Sequence, residues 1–235
     1  MSNRNSNIKK YYEEWWENPN DPRDFIFNKL NKIVDKRLPK GQGKRVLDVG
    51  SGKGKIVSFL VKKGYRVTAV ELNENFVKDL TQRFQTIEIL EGDFNLISID
   101  NSFDDVTAIE FVQNLDREVL KRFLVKVATI SNHLRMNISN RFSLHGFWTV
   151  FRGFQLPFVF TYTPREIEQM LRTVGFHITY KKGIGLITPI TLFSGFRWKI
   201  IPIWFAKIIN SIGDRIFPRF CHLYYIEAEK INKEA

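Results

Sequence analysis

Between Lys44 and Asn140, short runs of Val, Ile and Leu alternate with amphipathic stretches. Strand-like runs at 45–50, 66–71, 87–90, 104–110 and 134–139 are separated by segments at 55–64, 73–84 and 117–128 in which apolar residues recur every three or four positions. The strand-like runs are continuously apolar rather than alternating in polarity. That is the pattern of parallel strands whose two faces are both covered by helices. A chain of this kind folds as an α/β protein with a doubly wound, mostly parallel sheet. Its 235 residues suit one such domain with a single core.

The first run leads into Asp48-Val49-Gly50-Ser51-Gly52-Lys53-Gly54, three glycines at alternate positions where a strand turns into a helix starting near Lys55. Such a turn needs positive φ, and the missing Cβ lets backbone amides approach a ligand beside a helix N-terminus. Glu71 closes the next strand, seventeen residues after Gly54, where a carboxylate can accept both hydroxyls of a ribose. The third strand runs into Glu91-Gly92-Asp93-Phe94 at the same sheet edge. Asp93 there can accept from an exocyclic amine such as that of adenine, with Phe94 or Leu72 packed on the ring. Dinucleotide sites use Gly-x-Gly-x-x-Gly; here the third glycine comes one residue early.

Taken together, the glycine loop, Glu71 and Gly92-Asp93 resemble the class I S-adenosylmethionine-dependent methyltransferases, especially their small-molecule type-11 branch. The resemblance covers about residues 44–140. It implies a Rossmann-like, seven-stranded sheet whose last strand is antiparallel, expected here at Cys221–Glu229. It also implies that Asp48, Gly50, Ser51 and Gly52 lie under the methionine half of S-adenosylmethionine, that Glu71 clamps the ribose, and that Leu72, Asp93 and Phe94 form the adenine site. Glu110 and Phe111 would pass beneath the methionine, with Asn114 facing the acceptor. One departure stands out: where relatives carry Pro-Gly-Gly before the fifth strand, this chain reads Ser131-Asn132-His133-Leu134.

The rest of the chain divides into an N-terminal helical cap (1–40), a substrate cap (141–220) with a helix at 163–174, and the last strand (221–230). In the N-terminal cap Phe25, Leu30, Ile33 and Leu38 recur at helical spacing, and Tyr11, Tyr12, Trp15 and Trp16 form an aromatic cluster that can close over the site. In the substrate cap Thr163 is the expected N-cap, with Pro164 at the first helical position. A sulfonium methyl is already activated, so catalysis is chiefly alignment, plus proton removal where the acceptor needs it. His145, just past the fifth strand, is the candidate base; Arg141, Trp148 and Tyr162 join Tyr11, Tyr12 and Asn114 as candidate acceptor contacts.

Composition narrows the function classes. A lone Cys221, in the presumed last strand, rules out a disulfide within the chain and a thiolate zinc or iron–sulfur site, and it argues against a covalent cysteine mechanism. The other histidines, His133, His177 and His222, show no metal spacing. The N-terminal residues have no apolar stretch before their charges, so neither signal peptide nor anchor is expected and the cytoplasm is the expected compartment.

A net charge of +11 suits nucleic acid, an anionic membrane face or a phosphorylated substrate. The Asn-Pro-Pro-Tyr type of motif used on adenine N6 is absent at Glu110–Gln113, which weakens base methylation. In 183–220 the longest uncharged run is Gly183–Phe196, too short for the ~20 residues that span a bilayer. Trp204, Ile208 and Ile212 share a helical face there among Arg197, Lys199, Lys207 and Arg215, as in a helix lying in a membrane interface or one capping the pocket. The sequence thus predicts methyl transfer from S-adenosylmethionine to a small, apolar or lipid-like acceptor, with O-methylation favoured. A tRNA or rRNA methyltransferase and a non-catalytic cofactor-binding module are the alternatives. The oligomeric state is left open.

Overall fold

A computed structural model describes residues 9, 13, 24–144, 146–147, 159–187 and 203–231. Tyr11, Tyr12, Trp15, Trp16, His145, Trp148, Arg197 and Lys199 lie outside the described residues. In chain order the elements are α1 (Asp24–Arg37), β1 (Arg45–Val49), α2 (Lys55–Lys62), β2 (Arg66–Glu71), α3 (Glu74–Arg83), β3 (Glu88–Glu91) and β4 (Asp105–Ala108). They continue as α4 (Arg117–Ile130), β5 (His133–Ser139), α5 (Pro164–Thr173), β6 (Phe176–Ile184), α6 (Ile203–Ile216) and β7 (Leu223–Lys230). The seven strands form one sheet in the order β3-β2-β1-β4-β5-β7-β6. β1 pairs in parallel with β2 and β4, β2 with β3, and β4 with β5, whereas β7 runs antiparallel between β5 and β6.

The continuous apolar runs are explained by burial on both sheet faces. Along β1, Val46 points to the layer holding α1, α2 and α3, where Ile26, Leu30, Val34, Ile56, Val57, Leu60 and Leu80 are buried. Leu47 and Val49 point to the opposite layer, whose buried cluster includes Leu120, Phe123, Leu124 and Val127 of α4 and Ile167 and Leu171 of α5. Each such buried aliphatic side chain contributes about 1.5–3 kcal/mol relative to exposure, and the sum opposes the chain's conformational entropy.

Several boundaries move from their sequence positions. Along α1 the buried row is Ile26, Leu30 and Val34, continued just past its end by Leu38, in strict steps of four, so Phe25 and Ile33 sit at its margin and are only partly buried. The last strand begins at Leu223, because Cys221 and His222 are still turning: Cys221 N donates to Pro218 O and His222 N to Gly185 O. α5 starts as expected, with a full capping box in which Thr163 Oγ1 accepts from Glu166 N while Glu166 Oε2 accepts from Thr163 N. The atypical turn before β5 is closed by a serine: Ser131 Oγ accepts from His133 N at 3.1 Å and donates to His133 O at 3.0 Å.

At the opposite end of the sheet from the glycine loop, Arg135 pairs with Asp105 at 2.7 Å and with Glu227 at 3.1 Å. Glu227 also takes two hydrogen bonds from Arg37 and one from Tyr225. This network ties α1, β4, β5 and β7 together and leaves the other edge of the sheet for a ligand.

Candidate active site

At the carboxyl edge of β1, β2, β3 and β4 a cleft of about 710 Å³ opens, lined by Asp48, Gly50, Ser51, Gly52, Glu71, Leu72, Asp93, Phe94, Glu110, Phe111 and Asn114 among others. That volume is typical of a small-molecule or cofactor site. The structure therefore brings together every cofactor-side residue picked out in the sequence, and Asn114 with them.

The glycines have different reasons. Gly50, Gly52 and Gly54 all adopt positive φ, at 72°, 51° and 74°. A Cβ on Gly50 would stand 2.6 Å from the Phe111 ring, so this glycine lets the β1 and β4 loops pack edge to edge. A Cβ on Gly54 would meet Leu80 and Phe84, so that glycine serves the packing of α2 on α3 rather than a ligand. The loop is tied back to β2: Gly50 N and Ser51 N both donate to Val70 O, at 2.8 and 3.2 Å.

Glu71 is the hinge of this arrangement. Its Oε2 accepts from Gly52 N at 2.7 Å and its Oε1 from Asn73 N at 2.8 Å, so the carboxylate fixes the glycine loop and the start of α3 in one geometry. Burial pushes its pKa up, against these amide hydrogen bonds. Asp48 is more extreme. Only 2% exposed, it is pushed up to about 6 by burial, opposed by Thr107 Oγ1, which donates to Oδ1 at 2.6 Å; the nearby Glu71 charge raises it further. Its second oxygen, Oδ2, is buried in the cleft wall with no hydrogen-bond partner among the described residues.

The β4 loop is held as firmly. Glu110, a non-glycine residue at φ 60°, donates its N–H to Asn137 Oδ1 at 2.6 Å; the Asn137 amide in turn donates to Glu110 Oε1. Gln113 Nε2 donates to Glu110 Oε2 at 3.1 Å. At the β3 end, Asp93 Oδ1 accepts from Asn95 N at 2.9 Å, forming an Asx turn that aims the segment into the cleft.

Some candidates are placed elsewhere. Phe94 touches the cleft, but its ring is buried in the core, edge-on to Phe123 at 5.3 Å; Leu72, only partly buried, is the freer of the two to meet a flat ligand. Arg141 does not line the cleft: its guanidinium is engaged by Glu166 at 3.2 Å and by Thr161 O at 2.9 Å. Tyr162 is also outside it, buried with its hydroxyl donating to Leu115 O at 2.6 Å. Both are consequences of the chain turning at Thr163 into α5.

The cleft also includes residues the sequence did not flag: Lys9, Asn31, Asn73, Asn95 and Arg122. Asn95 has both amide atoms buried and unpartnered among the described residues. Its sequence signal was its place two residues after Asp93, where an Asx turn brings side chain i+2 back to the same edge. Lys9 pairs with Glu74 at 3.6 Å, and Glu13 accepts from the side-chain amides of Asn73 and Asn75. Among the described residues no group of three or more His, Cys, Asp or Glu side chains forms a metal site.

Comparison with known proteins agrees with this geometry. A protein-family model described as a methyltransferase domain matches residues 46–133. The chain is 28% identical over 132 residues to the ribosomal RNA small subunit methyltransferase A of Mycoplasma capricolum, covering 54% of this chain and 46% of that protein. It is 33% identical over 116 residues to the ubiquinone biosynthesis O-methyltransferase of Idiomarina loihiensis, covering 43% and 45%. The chain thus spans about half the length of these relatives. In fold it is similar to the S-adenosylhomocysteine-bound magnesium protoporphyrin IX methyltransferase of Synechocystis, with a TM-score of 0.67 at 15% identity over 96% of this chain and 99% of that one. Residues 46–133 thus match a methyltransferase domain, and the chain has the fold of the class I S-adenosylmethionine-dependent methyltransferases.

Proposed function

We propose that the protein transfers the methyl group of S-adenosylmethionine to a small, apolar or lipid-like acceptor, by O-methylation in the first instance. The observation that carries this reading is the convergence, in one cleft, of a fixed Glu71 carboxylate, an unpartnered Asp48 oxygen and an unpartnered Asn95 amide. Glu71 supplies the ribose clamp: its amide-bound oxygens each retain a lone pair for a hydroxyl. Asp48 Oδ2 offers an anionic acceptor to the methionine ammonium, and the orphaned amide of Asn95 offers one donor and one acceptor to the adenine edge beside Asp93. The apolar Ile109, Phe111 and Leu115 also line the cleft, which favours an apolar acceptor. His145 is the proposed proton acceptor where the acceptor hydroxyl must ionise.

A second reading, methylation of ribosomal or transfer RNA, is supported by the +11 charge and by the rRNA methyltransferase relative over half of the chain. One experiment separates the two. The protein is incubated with methyl-labelled S-adenosylmethionine and a cell extract, and label is counted in the organic-extractable and acid-precipitable nucleic-acid fractions. Label in the organic phase is expected. Label confined to nucleic acid overturns the small-acceptor reading, and a calorimetric titration without heat on S-adenosylmethionine overturns both.

A further inference from the structure

Helix α6 is built inside out for a surface helix, which normally turns its large apolar side chains to the core. Its buried residues are Ala206, Asn210, Gly213 and Asp214, whereas Trp204, Phe205, Ile208, Ile212 and Ile216 are 64, 43, 51, 56 and 61% exposed. The inward face is polar because it is latched by hydrogen bonds. Asn210 exchanges two with the backbone of Ile187, both at 2.8 Å. Asp214 accepts from Gly185 N and Leu186 N and pairs with Lys29 at 2.8 Å. Gly213 is required because a Cβ there would stand 2.4 Å from Leu186. The orientation of the helix is therefore fixed, and its apolar row must face outward.

Among the described residues of 203–220, cations border that row and no exposed acid does. Lys207, Arg215 and Arg219 are exposed beside it, and the only acid of the segment, Asp214, is buried and paired. Phe217 and Phe220 continue the apolar surface, 52 and 47% exposed. Asn140 then joins it to the exposed Phe142 and Leu144, since its side-chain amide donates to Arg219 O and Cys221 O, both at 2.9 Å. Ser139 stands opposite Leu223 in the β5–β7 register, so this surface lies at the carboxyl edge of the parallel strands, the edge at which the cleft opens.

We propose that the outward face of α6, with Phe217 and Phe220, is a docking surface for an anionic lipid bilayer. Rings at headgroup depth with cations around them are the chemistry such a surface recognises. Among the described residues no helix is long and apolar enough to cross a membrane, so the association is peripheral. A second copy of the chain fits the charges less well, because a two-fold contact through this face would bring its cations together with no acid to meet them. The inference goes beyond the acceptor reading and does not depend on it.

The test is co-sedimentation of the full chain with vesicles of phosphatidylcholine alone or mixed with phosphatidylglycerol, at low and high salt. Binding to the mixed vesicles only, weakened by salt, is expected. Changing Lys207→Gln and Arg215→Gln together is expected to lower partitioning by about 30-fold, each basic residue near an anionic surface being worth about a factor of five. Trp204→Ser with Ile208→Ser should abolish it. Calorimetry with S-adenosylmethionine, run without vesicles, checks that each variant is folded. A wild-type protein left in the supernatant with both vesicle types overturns the proposal, as does equal binding to both. A dimer in sedimentation velocity that Trp204→Ser dissociates, without vesicle binding, overturns it in favour of a contact between copies.

Discussion

Asp48→Asn should move stability and cofactor affinity in opposite directions. Burial, with one oxygen unpartnered, pushes the Asp48 carboxyl up to about 6 from an ordinary 3.8. Its folded-state pKa is raised, so the stability linked to its proton is fully present below the unfolded value and is lost as pH rises through about 6. At pH 7.5 the ionised group therefore costs the apo protein on the order of 3 kcal/mol. An amide of the same shape keeps the Thr107 hydrogen bond and removes the charge, but still leaves one polar atom unpaired. A net gain of about 2 kcal/mol is expected, or about 4–8 °C in Tm for a domain of this size. Under the proposed reading S-adenosylmethionine reverses the sign, since its ammonium would pair with the ionised carboxylate. Wild-type affinity should be flat above pH 7 and weaken about tenfold by pH 5, where the carboxyl must first give up its proton. The variant should bind about 10–100-fold more weakly at pH 7.5, with the pH dependence from Asp48 removed. Differential scanning calorimetry of the apo protein and isothermal titration between pH 5 and 7.5 measure both. A wild-type Kd constant across that range would refute the pairing of Asp48 with the cofactor, and an apo Tm lowered by the substitution would refute the desolvation argument.

Other outcomes follow from the same geometry. Glu71→Ala removes the acceptor for both Gly52 N and Asn73 N and, as proposed, for the ribose, so S-adenosylmethionine affinity should fall about 10–100-fold in isothermal titration; Glu71→Gln should fall less, because one oxygen still accepts. His145→Ala should lower turnover by about 10²–10⁴-fold once an acceptor is in hand, with cofactor affinity unchanged; a rate within a few-fold of wild type would make alignment alone the mechanism.

Sequence and structure meet most closely where function rests on backbone geometry. Gly50 and Gly52 after β1, Glu71 at the end of β2 and Asp93 after β3 were legible because strand ends in a doubly wound sheet share an edge, so chain order alone places them together. The acceptor side was not legible, because its candidates come after β5, where the path of the chain rather than a strand end decides direction. Arg141 and Tyr162 look like ligand contacts in a string of aromatic and polar residues; only the turn into α5 shows that Glu166 and Leu115 O already engage them. The helix at 203–216 shows a complementary failure. Its apolar spacing is plain in the sequence, but which face turns inward depends on Asn210 and Asp214 finding backbone partners in residues 185–187, a tertiary choice that periodicity cannot express.

The costs carried by the cleft have a common direction. Asp48 Oδ2 and the amide of Asn95 are buried without partners, and Glu110 holds a positive φ that a residue with a Cβ rarely adopts. Each is worth about 1–3 kcal/mol against the folded state. Thr107, by binding one oxygen of Asp48, fixes where the other points, and Asn137 holds the strained backbone of Glu110 in place by accepting its N–H. A fold selected only for stability would place an amide or an apolar group at 48 and a glycine at 110. Keeping a carboxylate at 48 makes sense under the proposed reading, in which a ligand carrying an ammonium supplies the partner that Oδ2 lacks among the described residues.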